Sequence, residues 1–116
     1  MSAPDAQALS AVAFQLAAAL DAYEQDIATL VRGPFDTDAY QRASRQMDHM
    51  RMYAAALPML SVAWVEVMIR HFELTHGIWR LQKEPGQGMD LAQLHAQLRS
   101  AVERLSRKCM LLMPAA

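Results

Sequence analysis

Residues 59–74, Met59-Leu-Ser-Val-Ala-Trp-Val-Glu-Val-Met-Ile-Arg-His-Phe-Glu-Leu74, read as a helix with almost no polar side. Glu66, Arg70 and Glu73 fall on one narrow stripe at helical spacing. The rest of the circumference carries Met59, Leu60, Val62, Ala63, Trp64, Val65, Val67, Met68, Ile69, Phe72 and Leu74. A helix that is apolar nearly all round must be covered, either by the other helices of a bundle or by another subunit.

Working outward, the flanking segments supply such helices. Leu9, Val12, Leu16, Leu20, Tyr23, Ile27 and Leu30 recur at spacings of three and four, which predicts an amphipathic helix over about 3–32. Ser2-Ala-Pro-Asp5 has capping-box form with Pro4 in the first turn, and Gly33-Pro34 ends the helix, Gly33 as a left-handed C-terminal residue. A second helix, about 37–57, starts at Asp36 or Asp38 and presents Tyr40, Ala43, Met47, Met50, Ala54 and Leu57 on its apolar side. Pro58 removes an amide and pushes Leu57 from helical angles, so a kink or break belongs there. Without it, a rod over residues 37–81 would be roughly 65 Å long at 1.5 Å per residue.

The apolar third helix spans about 59–82, running through Gly77 to Ile78, Trp79 and Leu81. A loop, Glu84-Pro85-Gly86-Gln87-Gly88, then leads to a fourth helix over about 90–112, opened by Asp90 and Gln93. Its stripe is Leu91, Leu94, Leu98, Val102, Leu105, Cys109 and Leu112, and residues 114–116 read as a loose tail. The expected fold is therefore all-α, an antiparallel four-helix bundle of one domain with the third helix central.

Composition narrows the function classes. The formal net charge of −1 argues against a surface built as a whole to attract nucleic acid or acidic lipid. The charge is uneven, with an acidic first helix and a basic last one, so the two could lie side by side. The single cysteine, Cys109, excludes an intrachain disulfide, the N-terminus lacks the positive region of a signal peptide, and Ala54–Ile69 is too short for a membrane span. The expectation is a soluble cytoplasmic protein.

Catalytic and metal chemistry find little support. Glu73-Leu-Thr-His76 has the spacing used in di-iron bundles, but it occurs once and lacks inward glutamates on the other helices. Met47, His49, Met50 and Met52 do not converge on one helix face, as a soft-metal site requires. No histidine is followed by the Lys and Gly that surround a phosphorelay histidine, no Ser sits in a Gly-x-Ser-x-Gly turn, and Cys109 lies on an apolar seam. The reading is a protein without cofactor, metal or catalytic activity.

What remains is association. Trp64, Met68, Phe72 and Trp79 are expected to make the partner contact, with Glu66, Arg70 and Glu73 fixing register through i,i+3 and i,i+4 pairs. The expected function is that of a helical interaction protein, an adaptor, small chaperone or regulatory subunit, bound to a protein partner or to a second copy of itself. The competing class is a nucleic-acid-binding regulator using Arg42, Arg45 and Arg51 of the second helix with Arg99, Arg104, Arg107 and Lys108 of the fourth.

Overall fold

The computed structural model describes residues 3–84 and 90–114. The Ser2 cap, most of the loop expected at residues 84–88 and residues 115–116 of the tail lie outside them. Four helices follow one another: α1 (Ala3–Arg32), α2 (Thr37–Ala55), α3 (Ser61–Lys83) and α4 (Leu91–Leu111), with one 3₁₀ turn, η1 (Pro58–Leu60), before α3. There is no strand among the described residues. The molecule measures 55 × 23 × 23 Å, the long axis set by α1, whose 30 residues extend about 45 Å.

The helix ends follow from local chemistry. Asp36, rather than Asp38, caps α2, accepting from the Ala39 amide at 3.0 Å. Asp90 does the same for α4, accepting from the Gln93 amide at 3.0 Å. At the other end of α1, Gly33 does not adopt the left-handed backbone expected of it. Pro34 is a sufficient stop, because it cannot donate to the helical ladder and disfavours helical angles at the residue before it. Gly77 does not end α3, which continues to Lys83.

Pro58 breaks the chain where expected. Leu57 sits at φ −126°, ψ 66°, η1 makes the corner, and the chain bends by 118° between α2 and the helical segment that follows. The connection of α1 to α2 is only four residues long, and the two lie against each other along most of α2. α3 and α4 form the second long contact and α1 and α4 the third, while α2 and α3 meet only briefly near the corner. α3 supplies more buried positions than any other helix, as befits a central element. By neighbours, however, α1 and α4 are the inner pair, each running against two long partners, while α3 has only α4.

The core is built from the expected stripes with one exchange. Leu16, Leu20, Tyr23 and Ile27 of α1 meet Met47 and Met50 of α2, Trp64, Val67 and Leu74 of α3, and Leu98, Leu105 and Cys109 of α4. Each such aliphatic side chain contributes about 1.5–3 kcal/mol by leaving water. Ala39 takes the first inward position of α2 in place of Tyr40, whose ring stays at the surface against Phe35, with centroids 5.8 Å apart. Small Ala39 and Ala43, both fully buried, let α1 and α2 approach closely.

Candidate partner-binding surface

α3 has two apolar faces. One turns inward: Leu60 just before it, then Trp64, Val67, His71, Leu74 and Ile78, again at spacings of three and four. The other faces out, and it is Val62, Val65, Ile69, Phe72, His76 and Trp79. Val62 is 83% exposed, Phe72 58% and Trp79 51%, values at which large apolar groups are left in water. Their spacing alternates three and four without interruption, the a/d pattern of a helix seam that pairs with another helix.

Charges border this seam on one side. Nη1 of Arg104, on α4, donates to Glu66 at 2.6 Å, and Arg70 donates to Glu73 at 3.0 Å. Arg70 also reaches Gln97 of α4 at 3.5 Å. Only one of the expected pairs within α3 therefore forms, Arg70–Glu73, because Glu66 is taken by Arg104 across the helix contact. At the C-terminal end of the seam the His76 ring stacks on Trp79, with centroids 6.4 Å apart and planes at 20°. The Lys83 ammonium stands 4.3 Å from the Trp79 centroid, so the indole is held from two sides.

The expected contact residues divide accordingly. Phe72 and Trp79 are on the open seam, whereas Trp64 is a core residue, 6% exposed, and cannot touch a partner of this fold. Met68 is half-buried and packed against the core. Val62, Val65 and Ile69 complete the seam and were not among the residues expected to make contact. Their spacing was visible in the sequence, but on a helix apolar all round the covered and open faces carry the same kinds of side chain.

Other groups with chemical potential are otherwise occupied. The Tyr23 hydroxyl and His71 Nδ1 lie 2.7 Å apart in the interior. Burial holds the His71 ring neutral, its pKa pushed down to about 4, and raises that of the Tyr23 phenol. Burial also raises the Cys109 thiol to about 11, so it is not a ready nucleophile. Glu24 of α1 is raised, mainly by burial, with Arg99 of α4 opposing the shift, so the acidic and basic helices do adjoin here.

No group of three or more His, Cys, Asp or Glu side chains able to hold a metal ion occurs among the described residues. Met47 and Met50 are buried while His49 and Met52 are exposed, so they do not form one site. No single helix among the described residues is long and apolar enough to cross a membrane. Of the arginines proposed for nucleic acid, Arg42 is paired with Asp26 at 3.0 Å and Arg104 with Glu66. α2 and α4 both lie against α1 and share no long contact with each other.

A second apolar area, with Phe14, Met110 and Leu111 exposed, borders an open groove of about 700 Å³ between α1 and the end of α4. It lacks the regular spacing of the α3 seam. The chain matches no known protein family model, no curated protein and no solved structure.

Proposed function

We propose that this is a non-enzymatic interaction protein of the cytoplasm, an adaptor, small chaperone or regulatory subunit, that binds a helix along the outer seam of α3. The observation that carries the reading is the row Val62, Val65, Ile69, Phe72, His76 and Trp79, five large apolar side chains and one imidazole left in water at heptad spacing. Single exposed apolar residues are ordinary, but a continuous row is a feature of surfaces that become covered. Phe72 and Trp79 are residue types that anchor contacts, and the indole is already held by His76 and Lys83, which lowers the entropy lost on docking.

The test is a photoreactive amino acid placed at Ile69 or, as control, at Arg45 on the exposed side of α2. Adducts formed in cells from position 69 and absent from position 45 support the reading. Equal labelling from both positions, or none from 69, overturns it.

A further inference from the structure

Resting on that reading of α3 as a docking face, we propose that the seam is filled by the same seam of a second copy of this chain, running head to tail about a twofold axis between residues 70 and 71. The first argument is the gradient of side-chain size. Along the helix the seam reads Val62, Val65, Ile69, Phe72, His76, Trp79, small at the start and large at the end. Head to tail, Val62 meets the partner's Trp79, Val65 the partner's His76 and Ile69 the partner's Phe72. Every layer then joins a smaller side chain to a larger one, and the helices stay evenly spaced. Side by side in the same direction, Trp79 would meet Trp79 and Val62 would meet Val62, which wedges one end apart and leaves voids at the other.

The second argument is charge. Glu66 and Glu73 border the seam one heptad apart, and each carboxylate already has a guanidinium of its own chain, Arg104 and Arg70. Head-to-tail pairing sets the Arg70–Glu73 pair of one chain beside the Glu66–Arg104 pair of the other, a neutral group along that flank of the contact. Opposed helix dipoles favour the same direction.

The third argument is area. Five large side chains, each between 44% and 83% exposed, leave on the order of 500 Å² of apolar surface, the upper end of what a monomer shows. A twofold contact doubles this to on the order of 1,000 Å², the size at which specific interfaces begin. An isologous contact needs only this one patch.

Sedimentation equilibrium of the full chain, with spin labels at Ser61→Cys for distance, tests the proposal. Expected is a dimer of the 13.0 kDa chain that dissociates at least tenfold more readily in Ile69→Glu, with the helical circular dichroism of that variant unchanged. The Ser61→Cys labels should lie about 28 Å apart, because head to tail they are separated by 19 helical residues. Short label distances would overturn the head-to-tail arrangement, and a dimer indifferent to Ile69→Glu would overturn the use of this seam. A strict monomer at high micromolar concentration overturns self-pairing. If the photoreactive Ile69 position then captures a different protein, the docking reading survives that result, and if it captures nothing both fall.

Discussion

The hydroxyl of Tyr23 on α1 and Nδ1 of His71 on α3 stand 2.7 Å apart in the interior, a polar tie between two helices whose apolar side chains meet in the core. The ring is neutral because burial disfavours its charged form, and its folded pKa of about 4 lies below the ordinary value of 6.5. A depressed histidine stabilises the fold above its unfolded pKa, and that contribution is lost as acid protonates the unfolded chain first. Stability should therefore fall between about pH 6.5 and pH 4 by up to about 3 kcal/mol. His95, lowered by burial and by Arg99, acts in the same direction. Urea unfolding of the native chain and of His71→Gln over this range isolates the part due to His71, which should vanish in the variant.

Tyr23→Phe keeps the ring and removes the hydroxyl. It leaves the buried Nδ1 of His71 without its partner, at a cost of about 1–2 kcal/mol. Equilibrium unfolding at neutral pH measures it, and a neutral result would show that the tie carries no net stability.

The two tryptophans should behave oppositely. Trp64→Ala opens a cavity in the core and should cost about 3–5 kcal/mol in urea or thermal unfolding. Trp79→Ala removes a half-exposed ring and should leave folding within about 0.5 kcal/mol. Its effect should instead appear in sedimentation, as weaker association.

That contrast also marks the limit of what the sequence tells. The helices were legible because their apolar residues recur every three to four positions and because Asp36, Pro34, Pro58 and Asp90 punctuate them. α3 was legible as a helix for the same reason, yet Trp64 and Trp79 are the same residue type on the same apolar rod. Which of them is covered depends on where α4 and α1 lie, and that is set by the bend at residue 58. The same holds for Glu66: local spacing offers Arg70, four residues on, but Arg104 lies 38 residues away and becomes its partner only when α3 and α4 pack.

Gly33 supplies a local prediction. A methyl group there would meet nothing within 4 Å, and its backbone is not left-handed. Gly33→Ala should raise stability by about 0.5 kcal/mol through the less mobile unfolded chain, read as a higher melting temperature.

Cys109 is fully buried and its thiol is held above its usual pKa by burial. A disulfide reagent at pH 8 should react with it only at the rate of unfolding, and rapid modification of the native chain would contradict its place in the core.

In a regular up-and-down bundle every helix has two long neighbours. By turning the backbone through 118° at Leu57 and Pro58, this protein steers α2 away from α3 and leaves it flanked along its length by α4 alone. α3 is thus held to the molecule by its inward face and by one long neighbour, and a helix that docked on Phe72 and Trp79 would add a layer to the bundle without displacing any part of it.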